Sequence, residues 1–520
     1  MMKRHRVALA CGLWAGAWSG ALAWAADQPQ AGQAFTRNMV SSEIGLVESV
    51  DIATGKGVKW SAKLGTETYA SPAVAEGKVL IGTNNASPRD PKHQGDRGVL
   101  MCFEEKTGKF IWQFVVPKIG GDPYLDWPQI GFISTPTVEG ERVYTLTNRG
   151  ELACLNINGM ANGNTGPYME EAEHQTPKGK PVEAVGPTDA DILWLTDLGA
   201  AAGIYHHDTA YGSVLIDGDF LYINSCNGVD MTHKVIRKPD APSFLVFEKK
   251  TGRLVAKDSE HIGPDVFHNT YSSASMGTVN GKKEVFFGGG NGILYAFEAL
   301  NEMPPEGTVV DLKRVWKFDP DPTGPKTDIH SYLGNRKESP STIITMPVFL
   351  DGKIYLTAGG DVWWGKDKAW LSCFDAAKAE AAAAAAQGAG GSGGTKPVTI
   401  ADVAGGWQYE MRRSCATPAV AGALTFTTTE SGQSVECVET ATGKSVWSHK
   451  TNGEFWSSPL VADGKVYAGN RKGKLVILAA TREKKVLCEA DMKGPMAGAP
   501  VAANGVVYIA TDKMLWALGK

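Results

Sequence analysis

Past its first 26 residues the sequence has no apolar run long enough to cross a bilayer as a helix, so the mature chain is expected to carry no transmembrane segment. It has no excess of either charge: 52 Lys and Arg stand against 56 Asp and Glu, a net of −4 spread along the chain. That leaves no basic footprint for nucleic acid. There is no Cys-x-x-Cys-His, which excludes covalent haem of the usual type, and no complete Walker phosphate loop. The run Gly288-Gly289-Gly290-Asn291-Gly292 is a hairpin turn rather than a phosphate cradle. Cysteine is sparse and uneven in number: eight in all, seven once Cys11 leaves with the leader. An odd set argues against a disulfide framework, and Cys102, Cys154, Cys373 and Cys437, at one place in successive repeats, are too far apart to bridge and read as small buried hydrophobes.

The leader is expected at Met1 to Ala26. Lys3, Arg4 and Arg6 precede an apolar run, and Ala23-Trp24-Ala25 supplies small residues at the cleavage positions. The mature protein is then exported, to the periplasm or cell envelope.

What the chain does have is repetition. Thr442-Gly443-Lys444-Ser445-Val446-Trp447 recurs as Thr107-Gly108-Lys109-Phe110-Ile111-Trp112 and, less completely, at Thr54-Gly55-Lys56 with Trp60 and at Thr251-Gly252-Arg253. Gly provides the positive φ of a tight turn, and the Trp is a packing plug between neighbouring sheets. A second marker, a Ser/Thr-Pro or small-residue step, opens a hydrophobic strand at Ser71-Pro72, Thr135-Pro136, Gly212-Ser213, Ala274-Ser275, Met346-Pro347, Thr417-Pro418, Ser458-Pro459 and Ala499-Pro500. That is eight units, the last ones about 40 residues apart, the period of a four-stranded propeller blade. The C-terminal unit supplies strands one to three only, and the segment ending at Trp60 supplies a fourth. The expected fold is therefore all-β: an eight-bladed propeller over residues 34–520, with one blade closed by pairing the two ends.

Insertions fall into two groups. On one face are Asn84 to Arg97, Cys226 to Pro242 and Gly359 to Lys368; the opposite face is expected to receive Asn156 to Asp191, Glu298 to Lys313 and the Ala-rich then Gly/Ser-rich run Ala376 to Thr395, a short helix and a flexible loop. The first face also collects Trp127, His206, His207, His268, Asp361, Trp363, Arg412 and Trp456, joined by Arg89, His93 and His233 from its loops. Together these are a candidate binding funnel at one mouth of the channel. Each also has a plainer reading, as a local hydrogen-bond partner or a plug between blades. His206-His207-Asp208 with His268 is the one candidate set for a divalent metal, but adjacent histidines point apart on a strand and no ligand spacing of a known type is present, so no metal is expected.

In its Asp/Glu-x-x-Thr-Gly-Lys-x-x-Trp units the array resembles the tryptophan-docking repeats of the quinoprotein dehydrogenases and of their non-enzymatic relatives, the PQQ-like propellers, among them the propeller component of the outer-membrane β-barrel assembly machinery. The resemblance covers about residues 34 to 520. It implies two functions. The first, expected here, is a non-catalytic binding or scaffold propeller of the envelope, a monomer without cofactor, contacting a protein or peptide. The alternative is a quinone-dependent alcohol or sugar dehydrogenase using PQQ and calcium. The dehydrogenases stack the quinone on a disulfide between adjacent cysteines, and here no two cysteines are adjacent. Gly360-Asp361-Val362-Trp363-Trp364 is a loose echo of their motifs, and no calcium ligand or catalytic Asp is carried over.

Overall fold

In a computed structural model, residues 26–388 and 396–520 are described; the expected leader lies outside them but for Ala26, as does the Gly/Ser-rich segment 389–395. Eight small antiparallel sheets form a ring. Taking the blade that joins both ends as blade 1, blades 2 to 8 begin with inner strands at Ala73–Ala75, Thr137–Glu139, Leu215–Asp217, Ser275–Val279, Val348–Leu350, Ala419–Ala421 and Leu460–Ala462. Blade 1 is built from Val501–Ala503, Val506–Ala510 and Met514–Leu518, with Val58–Lys63 as its outer strand in the register Val58↔Leu518 to Lys63↔Met514. The expected closure is thus present, and it completes that blade with its fourth strand.

Local chemistry explains why the chain turns where it does. Between first and second strands stand Asp463-Gly464, Asn504-Gly505, Asn280-Gly281 and Asp351-Gly352, each with positive φ at both residues, as a two-residue hairpin requires. The glycine of the repeat does more than turn. A Cβ on Gly108 would lie 2.4 Å from the Trp60 ring of the preceding blade, and Gly252 and Gly443 lie equally close under Trp194 and Trp407. The indole nitrogens donate across the same seams, Trp60 to the Glu105 carbonyl at 2.8 Å, Trp112 to Ile157 at 2.8 Å and Trp447 to Thr481 at 2.9 Å. The four equivalent cysteines face these tryptophans in register, Cys102↔Trp112, Cys154↔Trp194, Cys373↔Trp407 and Cys437↔Trp447, and all seven described cysteines are free.

The second group of insertions does not stay on the opposite face. Residues 156–191 leave from there and run along the outer strand of blade 2, where the Gln113 N–H donates to the Thr188 carbonyl at 2.9 Å and Arg97 pairs with Glu183 at 2.6 Å. Val310–Asp311 adds a parallel fifth strand to blade 4. The helix Ala376–Gly388 packs on the outer strand of blade 5. An outer strand presents unpaired backbone groups, and covering that edge is the physical reason for the wrap.

Residues 26–41 hold a place the repeats did not predict. They circle inside the ring and touch the inner edge of every blade: the Ala26 carbonyl meets Asn504, Gln28 Val74, Pro29 Val138, Phe35 Met276, Thr36 Phe349 and Met39 Val461. Arg37 donates to the Ser213 carbonyl at 2.9 Å, and Asn38 accepts from the Val420 N–H at 2.9 Å. Arg37 is fully buried with carbonyls as its acceptors, and burial lowers its pKa to about 10.

Candidate functional site

The step that opens each inner strand also builds the channel. Two residues before the strand, a hydroxyl accepts from the backbone N–H of the equivalent residue one blade away: Ser71 from Ala499 at 2.9 Å, Thr135 from Ser71 at 3.1 Å, Ser273 from Ser213, Thr417 from Met346 and Ser458 from Thr417, each at 2.9 Å. This belt explains why Ser and Thr recur at the step. Four residues before the strand the chain presents one side chain to the axis. In blade order these are Ala497, Tyr69, Ile133, Tyr211, Tyr271, Ile344, Cys415 and Trp456, and all of them line one cavity of about 460 Å³.

Ala31 and Met39 of the encircling segment contribute to the same cavity. Loops from the first face supply its upper wall, with Tyr124, Trp127, Trp363 and Trp364. Trp127 and Trp363 are 39% and 40% exposed, high for side chains of this size. Trp363 meets Trp456 edge-on with ring centroids 5.6 Å apart, and Tyr124 meets Trp127 at 5.0 Å. No lysine or arginine lines the cavity among the described residues.

One wall is polar. His207 Nδ1 donates to the Val229 carbonyl at 2.7 Å, His268 Nδ1 lies 3.1 Å from Asp361 Oδ2, and the two Nε2 atoms are 3.1 Å apart. Asp361 also caps the loop, accepting from the Trp363 and Trp364 N–H groups at 2.9 Å each. Burial lowers the His207 pKa to about 2, with His268 as the next cause. Asp208, at φ 62, is pushed up to about 6, mainly by burial. Burial also pushes the Cys415 thiol up to about 12.

Of the residues singled out from sequence, Trp127, His268, Trp363 and Trp456 line the cavity. His207 and Asp361 lie directly behind its wall and position His268. His206 does point away from His207, as adjacency on an extended chain dictates, and its ring packs on Gly150 of blade 3. Arg412 is exposed, paired with Asp367, and outside the cavity. From the loop residues, His233 joins the polar wall. His93 does not: it is fully buried between Glu183 at 2.7 Å and Asp189 at 3.5 Å, part of the rim wrap. The tyrosines at 69, 211 and 271 were not singled out from sequence. Their signal was register: each stands four residues before an inner strand, as Trp456 does.

Comparison with known proteins agrees with this architecture. The family model described as outer membrane protein assembly factor BamB matches residues 43–165 and 401–482. The assembly factor BamB of Yersinia pestis is 27% identical over 154 residues, 27% of this chain and 35% of that protein, so the match spans about a third of the relative's length. Among solved structures, BamB from Moraxella catarrhalis is 12% identical with a TM-score of 0.50, covering 88% of this chain and 96% of that one. The quinohemoprotein alcohol dehydrogenase ADHIIG from Pseudomonas putida HK5 is 11% identical with a TM-score of 0.53, covering 95% and 76%. At such identities the two structures speak for the fold alone.

Proposed function

We propose that this chain, a PQQ-like eight-bladed β-propeller similar to the assembly factor BamB, is an exported binding propeller of the cell envelope whose funnel receives an aromatic-bearing loop tip or chain end of a partner protein. One observation carries the reading: the funnel is walled by aromatic faces contributed by several blades. Stacked and edge-on aromatic contacts recognise apolar and aromatic side chains with little loss of rotamer freedom. The name of the relatives, an outer membrane protein assembly factor, points to envelope proteins as the class of partner.

The residues do not fit the quinone that the fold also accommodates. PQQ is a tricarboxylate, and this cavity offers no cation among the described residues, while Asp208 contributes a carboxylate. Its one cysteine, Cys415, has no neighbour to form a disulfide platform. Calcium takes oxygen ligands, whereas the polar wall presents imidazoles.

The test is a titration followed by tryptophan fluorescence, with a short peptide carrying two aromatic residues at its C-terminus and the same peptide with serine in their place. The aromatic peptide should bind and the serine peptide should not, and Trp127→Ala with Trp363→Ala should weaken binding at least about tenfold at an unchanged Tm. Equal binding of both peptides, or an unaffected double variant, refutes the reading.

A further inference from the structure

We infer that His207, His233 and His268 form a binding site for one late-transition divalent metal ion of the zinc class, with an open coordination position toward the funnel. The site lies in the wall of the cavity and does not depend on what fills it.

The three histidines come from three segments: His207 from the loop before the blade 4 inner strand, His233 from the insertion between that blade's second and third strands, and His268 from the loop before blade 5. No sequence spacing links them. Their ligand atoms nevertheless all lie within 4.8 Å of one another. His207 and His268 each direct Nδ1 at an acceptor, the Val229 carbonyl and the Asp361 carboxylate, so in the neutral rings both protons sit on Nδ1 and both Nε2 lone pairs face a common gap of 3.1 Å. Two imidazoles bound to one tetrahedral ion with bonds of about 2.05 Å place their nitrogens about 3.3 Å apart. The gap already has about that width.

A simpler content exists for the pair alone: one proton between the two Nε2 atoms, with His268 as an imidazolium over Asp361, completes a hydrogen-bonded chain. That chain has no use for the rest of the cluster. His233 stands half-buried on a loop at positive φ, with a ring nitrogen within 4.8 Å of the ligand atoms of the other two. Asp208 Oδ1 is buried with no hydrogen-bond partner, 3.4 Å from His207 Nε2. A third imidazole and an unpartnered carboxylate oxygen beside the gap are what a cation requires and a proton does not.

The surroundings match a metal site in a second respect. A ligating histidine characteristically gives its other ring N–H to a carboxylate or backbone carbonyl, which fixes tautomer and orientation; here Asp361 and Val229 do so. Asp361 is itself held by two backbone N–H groups. Nitrogen ligands select zinc, copper, nickel or cobalt over calcium and magnesium. His233 and His268 line the cavity, so a fourth position points into the funnel, where a donor group of a bound partner or a water completes the shell.

The experiment uses the full mature chain, stripped with a chelator and titrated with Co²⁺ as the probe, then with Zn²⁺ in competition. One equivalent of cobalt should give the visible d–d bands of a tetrahedral centre, zinc should abolish them stoichiometrically, and calcium should have no effect. His233→Ala, on a loop, should lose the bands at an unchanged Tm, and Asp361→Asn, which removes the carboxylate that holds the proton on His268 Nδ1, should weaken affinity by about 10 to 100-fold. Absence of tetrahedral bands in the parent overturns the site without recourse to any variant. So do bands that persist in His233→Ala, which would leave the proton chain as the whole content of the cluster, and displacement of cobalt by calcium.

Discussion

Glu284 departs from the repeat in a way that makes stability depend on pH. The docking tryptophans elsewhere donate to a carbonyl of the next blade, whereas Trp316 donates to the Glu284 carboxylate of its own blade at 3.1 Å. Glu284 is fully buried, and its other oxygen has no partner. Burial first, and the Glu380 carboxylate second, raise its pKa from 4.5 to about 7. The native state then holds a proton that the unfolded state has released between those two values, so this residue's contribution to stability falls as pH rises through that window and is fully lost above it. Glu284→Gln keeps the acceptor without the charge. Denaturant unfolding should find it more stable than the parent by about 1 to 2 kcal/mol at about pH 8, with the difference closing near about pH 4.5. A difference independent of pH, or of the opposite sign, would contradict the assignment.

At the scale of the element, the unit is a seam between blades rather than a blade. Trp112 is fully buried and Trp447 is 8% exposed, each bonded to the neighbouring blade. Replacing either by Ala should cost about 3 to 5 kcal/mol, as for other large-to-small core changes. Thermal melts would show it, with peptide binding intact below the transition. The partner of such a Trp is equally constrained. At Gly443, with φ 68, a Cβ would lie 2.2 Å from the Trp407 ring, so Gly443→Ala should destabilise by more than about 1 kcal/mol. In the sequence Gly443 and Trp407 are marks of two different repeats; nothing there joins them, because they meet across a seam and are 36 positions apart along the chain.

The whole molecule depends on closure. Among the described residues, outer strand Val58–Lys63 has its only sheet partner in Met514–Leu518, and residues 26–41 bond to the inner edge of all eight blades. Deleting Pro500 to Lys520 should therefore abolish the single cooperative melt rather than lower it by a blade's share. Differential scanning calorimetry of the truncated chain decides this; a single transition near the parent's Tm would show that the ends do not share a sheet.

Fold class, blade number, closure and the place of the docking tryptophans were legible in the sequence, because a propeller repeats one local solution and its period, turn glycines and Ser/Thr steps are local facts. The side of the ring on which Trp127, His268, Trp363 and Trp456 gather was legible too, since strand direction alone sets it. Three things were decided only in three dimensions. Residues 26–41 carry no repeat, and their course inside the ring is set by the inner-strand N–H and C=O groups they meet there. The insertions wrap the outer strands because those edges need cover. And His207, His233 and His268 share no spacing: the ring of blades brings their loops to one wall, and only that juxtaposition makes the three imidazoles a cluster.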